Sequence, residues 1–113
     1  MTQENVIVIL SFQFALEIIS FTEILEVKRK YNLSNQLFRS GTSIGANVRE
    51  AQSAKSKKDF FHKMKIAYKE AEEIKYWLQL CKMSENYPTS DKLLNDINSL
   101  LKVLGKIISS SKS

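Results

Sequence analysis

The chain has one cysteine, one proline, one histidine and three glycines among 113 residues. Each shortage excludes something. A single cysteine, Cys81, cannot build an internal disulfide framework and suits a reducing compartment. So little glycine and proline leaves few turns, which argues against a sheet protein and for long helices with short connections. No segment alternates apolar and polar residues with period two, so strands have no support either. With only His62 and no Glu-x-x-His pair, the chain lacks the ligands of a bundle-type metal site. His62 lies off the apolar stripe of its helix and reads as a surface residue. There is no glycine loop ending in Gly-Lys-Ser/Thr that would cradle phosphate. What remains is 43% hydrophobic and 26% charged, ordinary for a soluble globular protein and enough for one domain over 1–113 with a core of its own.

Apolar periodicity divides the chain into four helices, expected at about 5–30, 34–54, 57–85 and 90–108. In the first, Val6 to Leu25 approaches the length of a membrane span. Glu17 and Glu23 interrupt it, no cation precedes it, and no small-residue cleavage site follows. It reads instead as a soluble helix apolar around most of its circumference, with one side in the core and the other against a second subunit. Lys28, Arg29 and Lys30 fall in its last turn, and Asn32 and Ser34 offer caps for the second helix. Ser56-Lys57-Lys58-Asp59 has the form of a capping box opening the third. There Phe60, Met64, Ala67, Ala71, Ile74, Leu78 and Cys81 step by four and three, a heptad seam. Asn86-Tyr87-Pro88 ends it, and Thr89 or Ser90 caps the fourth, whose stripe is Leu93, Ile97, Leu100, Leu104 and Ile107. Ser109 to Ser113 reads as a frayed polar tail. Short links between long helices imply an all-α, antiparallel up-down-up-down four-helix bundle.

The second helix carries Arg39-Ser40-Gly41-Thr42-Ser43-Ile44-Gly45-Ala46-Asn47-Val48-Arg49-Glu50-Ala51. Interior glycine costs a helix about 1 kcal/mol against alanine, so Gly41 and Gly45 need a compensating close contact with another helix. Asn47 leans toward the apolar side beside them. It reads as a polar lock that fixes register, with a pocket role as the other reading. Glu70, Glu72 and Glu73 read as surface partners for nearby lysines, and Cys81 as a buried structural thiol.

The net charge of +5 is uneven. Lys28 to Lys69 holds 11 basic residues against Glu50 and Asp59, hence +9, while the rest carries 6 against 10, hence −4. Such asymmetry points to an anionic partner. The candidates are Arg49, Lys55, Lys57, Lys58, Lys63, Lys65 and Lys69, running from the end of the second helix into the third. The amino end of the third helix adds free N–H groups and a positive dipole end suited to phosphate. Lys58, Lys65 and Lys69 share a face, and Lys28 to Lys30 fall at the opposite end of the bundle. Without a base-reading motif, binding would follow the backbone of RNA or DNA and depend on salt. A protein-interaction scaffold is the other reading.

Arg39 to Ala51, Ser56-Lys57-Lys58-Asp59-Phe60, Lys63 to Ala71 and Lys75-Tyr76-Trp77-Leu78 together resemble the four-helix-bundle protein family. That family includes proteins encoded in intervening sequences of bacterial 23S rRNA genes. The resemblance spans roughly Phe14 to Tyr87. It implies a left-handed bundle, a homopentamer, the bacterial cytoplasm, and neither enzyme activity nor a cofactor. The family is similar to the accessory variability protein of diversity-generating retroelements, a basic pentamer that binds nucleic acid and a reverse transcriptase. That partner is a fold-level analogy. The motif residues Arg39, Ser43, Asn47 and Glu50 are present, with no catalytic duty attached, and Val6 to Leu10 is more apolar than the resemblance leads one to expect.

Overall fold

The computed structural model describes residues 2–111, apart from the side chains of residues 3, 4 and 111. These residues form four α-helices and no strand: α1 (Gln3–Val27), α2 (Tyr31–Ala51), α3 (Lys57–Met83) and α4 (Asp91–Ser111). α1 packs on α2, α2 on α3, α3 on α4, and α4 back on α1. The result is a rod of 46 × 21 × 20 Å. Each helix contributes one apolar stripe to its axis. Ile7, Phe14, Ile18, Phe21 and Leu25 come from α1, and Leu37, Ile44, Val48 and Ala51 from α2. The heptad residues Met64, Ala67, Ala71, Ile74, Leu78 and Cys81 of α3 are buried, as is the whole expected stripe of α4. Phe60, at the head of the seam, is only half-buried.

The ends of the helices depart from the sequence reading for identifiable reasons. α1 stops at Val27, not at Lys30, because the chain reverses through a Schellman turn. Lys30 N–H bonds back to Leu25 O (2.8 Å) and Arg29 N–H to Glu26 O (2.9 Å). This requires Arg29 in the left-handed region, at φ 61°, a place normally marked by glycine or asparagine. The three cations therefore make the turn instead of ending the helix. α2 begins at once, with no side-chain cap. Ser34, an expected cap, is instead buried one turn inside α2, where its hydroxyl donates to Thr22 O of α1 (3.1 Å). At the other end, Gln52, Ser53 and Ala54 N–H each bond three residues back, which tightens the last turn and closes α2 at Ala51.

The α3 and α4 caps match their sequence signals. Ser56 Oγ accepts from Asp59 N–H (3.0 Å), while the Asp59 carboxylate reaches Lys55 N–H (3.3 Å). Ser90, not Thr89, caps α4, accepting from Leu93 N–H at 3.1 Å. α3 ends at Met83, two residues before the expected Glu85, and α4 continues helically through 109–111 where a frayed tail was expected. Residues 112 and 113 of that tail lie outside the described residues.

Gly41 and Gly45 face α1. A Cβ on Gly41 would lie 2.7 Å from the buried Ile18 side chain, and one on Gly45 3.5 Å from Ser11 O. α1 thus seats directly on the α2 backbone. Its outer side is left apolar: Ile9, Phe12 and Leu16, stepping by three and four, are 43%, 55% and 52% exposed. Asn5–Val27 is long and apolar enough to cross a membrane, yet its inner stripe is the bundle core.

Candidate nucleic-acid interface

The expected basic corner is built where α2 hands over to α3. Lys55, Lys57 and Lys58 are exposed around this turn. The amino end of α3 is less free than its sequence suggests. Ser56 and Asp59 occupy two of the local N–H groups, and the Asp59 charge offsets part of the attraction for an anion.

The seven candidate cations do not share one surface. Lys63 turns toward α2 and donates to Glu50 Oε1 at 3.0 Å. That hydrogen bond, with the Glu50 charge, holds the Lys63 ammonium above its ordinary range. Arg49 lines a shallow recess between α1 and α2, beside Phe12 and Gly45. Lys65 and Lys69 line the opposite side, between α3 and α4, with Tyr68 and Gly105. Lys65 also lies over the Phe61 ring, 5.2 Å from its centroid. Lys58 is not among the residues lining that recess. Lys28, Arg29 and Lys30 sit at the other turn, where Lys30 Nζ lies 4.6 Å over the Tyr87 ring.

Pairing separates these cations into two kinds. Arg39, Lys63, Lys82 and Lys92 are held by carboxylates. Lys92 bridges Glu17 and Asp96, and Asp96 then Glu17 raise its pKa. Among the described residues, Arg49, Lys55, Lys57, Lys58, Lys65 and Lys69 make no ion pair.

The motif residues of α2 form a polar stripe. Arg39 reaches Glu73 (3.3 Å) and Glu70 (3.8 Å) of α3, and Trp77 Nε1 donates to the same Glu73 oxygen (3.2 Å). Glu50 takes Lys63. Asn47 does not lock a neighbouring helix: its amide donates to Ser43 O (2.9 Å) and Ser43 Oγ (3.2 Å) within α2. Arg39 and Glu50 therefore tie α2 to α3, while Ser43 and Asn47 satisfy each other between them. Sequence reasoning missed the Arg39–Glu73–Trp77 network, since it assigned Glu70 and Glu73 to neighbouring lysines. The signal was the guanidinium itself, which favours a forked carboxylate partner. Among the described residues, Glu70 Oε2 is the one buried side-chain oxygen or nitrogen without a hydrogen-bond partner.

His62 is exposed. Among the described residues, no three His, Cys, Asp or Glu side chains gather as a metal site. Burial pushes the Cys81 thiol up, so at neutral pH it is a protonated core group.

A family model described as 23S rRNA-intervening sequence protein matches residues 3–109. The chain belongs to the 23S rRNA-intervening sequence protein family. A solved structure similar to it is a protein of unknown function from the S23 ribosomal protein family of Bacteroides thetaiotaomicron. The two are 40% identical, the match covers 96% of this chain and 99% of that one, and the TM-score is 0.89. No curated protein matches the chain. Neither the family description nor the neighbour's names a reaction. In this member of the 23S rRNA-intervening sequence family, the motif-bearing α2 packs against α1 and α3.

Proposed function

We propose that this protein is a non-enzymatic, homo-oligomeric four-helix bundle that binds RNA or DNA through its basic surfaces. One observation carries the reading: among the described residues, Arg49, Lys55, Lys57, Lys58, Lys65 and Lys69 lack ion pairs, whereas Arg39, Lys63, Lys82 and Lys92 have them. Unpaired lysines at this density attract phosphate through counterion release, which makes the affinity fall with salt and depend little on sequence. The topology that fits the short links is antiparallel and up-down-up-down, and the family resemblance implies a left-handed bundle. The assembly is a homopentamer in the cytoplasm, joined through the outer face of α1 and not inserted in a membrane. It needs no cofactor.

Fluorescence anisotropy with labelled RNA and DNA at 50–200 mM salt tests the proposal. We expect affinity to drop by orders of magnitude across that range. Reversing Lys55, Lys57 and Lys58 together to glutamate weakens binding without unfolding the helices. Absence of binding at the lowest salt would sink the reading.

The exposed Ile9, Phe12 and Leu16 of α1 favour a second reading, a protein-interaction scaffold, with a reverse transcriptase as the partner offered by fold analogy. Partners retained through purification after nuclease treatment would favour it over the first.

A further inference from the structure

The two recesses on the α3–α4 side adjoin: Tyr68 and Glu72 line both of them, and together they form a groove along the seam of these helices. Lys65, Lys69, Lys75 and Lys102 line it against one acid, Glu72, giving the groove a charge of +3. None of the four lysines is ion-paired among the described residues. Tyr68 and Tyr76 stand among them, and Tyr76 is 57% exposed. They lie eight residues apart on α3, about 12 Å along its axis. Gly105 lines the α4 wall beside Tyr68, where an added Cβ would make an ordinary contact, 3.6 Å from the ring. Gln79 and Asn98 line the same groove near Tyr76.

We propose that this groove, and not the corner at the α2–α3 turn, is the main binding track, and that its occupant is single-stranded RNA. The proposal rests on the nucleic-acid reading above and assigns it a place and a strand form. Lysines spaced along a groove follow a phosphate backbone, and aromatic rings between them offer stacking platforms. A base inside a duplex has its faces already covered, so rings in a groove select unpaired strands. The Gln79 and Asn98 side-chain amides each present a donor and an acceptor, which matches the ribose 2′-hydroxyl. Ile9, Phe12 and Leu16 of the apolar α1 face line neither recess of the groove, so an oligomer joined through that face leaves the groove lining free.

The test uses labelled 12-nucleotide oligouridylate and the full-length protein. Tyr76→Ala is expected to weaken binding about tenfold, and Tyr68→Leu, which keeps the apolar bulk of a partly buried ring, by a similar factor. Lys75→Gln with Lys102→Gln is expected to flatten the slope of log affinity against log salt by about 1.4, two phosphates at about 0.7 each. Lys57→Glu with Lys58→Glu should weaken binding less than either tyrosine variant does. Circular dichroism confirms that each variant stays helical. Unchanged binding by Tyr76→Ala and Tyr68→Leu overturns the groove, and so does loss confined to the Lys57/Lys58 variant; either leaves the general nucleic-acid reading standing. No binding of any nucleic acid by the wild type removes both. Equal affinity for duplex RNA or for oligodeoxyuridylate overturns the assignment of the strand. Equally effective competition by polyglutamate, charge for charge, overturns it in favour of an acidic protein.

Discussion

Gly41 and Gly45 look equivalent in sequence, four residues apart on one helix, but their surroundings give opposite expectations. At Gly41 an added methyl would sit 2.7 Å from Ile18 Cγ2 and 3.1 Å from its Cβ. Ile18 is fully buried and β-branched, so it has no free end to swing away. α1 itself must shift. Gly41→Ala should therefore destabilise the protein by about 1–3 kcal/mol from overpacking, less the roughly 1 kcal/mol that alanine gains in helix propensity. At Gly45 the nearest atom is Ser11 O at 3.5 Å, an ordinary contact. Gly45→Ala should leave packing intact and raise stability by up to about 1 kcal/mol. Urea unfolding of the two variants checks the contrast. A Gly41→Ala protein as stable as the Gly45→Ala protein would show that α1 is not seated on Gly41.

The helices themselves were legible because periodicity is a property of many residues at once. The α3 seam and the α4 stripe each repeat over several turns, and the Ser56 and Ser90 caps use hydroxyls whose role is local. Helix ends that depend on tertiary contacts were not legible. Ser34 resembles a cap until Thr22 O of α1 is placed beside it. Nothing in Lys28-Arg29-Lys30 announces a left-handed residue, since a run of long cations is good helix-forming sequence. The candidate site divides in the same way. The charge excess and the exposed α2–α3 corner could be read, but the α3–α4 groove needs residues from two helices in register. The turn carries its own prediction. Arg29 holds φ 61°, a strain of about 1–2 kcal/mol for a residue with a Cβ. Arg29→Gly relieves it and costs some unfolded-state entropy in return. The net expectation is a gain of up to about 1 kcal/mol, seen as a higher melting temperature with unchanged helix content. A lower melting temperature would mean that the Arg29 side chain makes a larger contribution than its strain.

At the scale of the molecule, two unsatisfied surfaces with separate linings share one rod. The outer face of α1 is apolar, and the α3–α4 groove is basic. Contiguous exposed apolar surface on a soluble protein marks a contact site, and burying it in a second copy is insensitive to salt, whereas phosphate contacts are not. The two surfaces can therefore be separated experimentally. Phe12→Glu with Leu16→Glu places two charges on the apolar face without touching a core residue, so the variant should remain helical. By light scattering it should fall toward the 13.0 kDa of one chain, while the parent holds the mass of the proposed pentamer at both low and high salt. Because the groove is untouched, the variant should bind a 12-nucleotide RNA as the parent does. On an RNA long enough to reach several subunits, the parent gains from effective concentration, by factors that can reach 10²–10⁴, and the variant does not. A variant that loses short and long RNA alike would place the RNA site at the subunit interface instead of in the groove. A parent that is monomeric at micromolar concentration would leave the α1 face without the partner proposed for it.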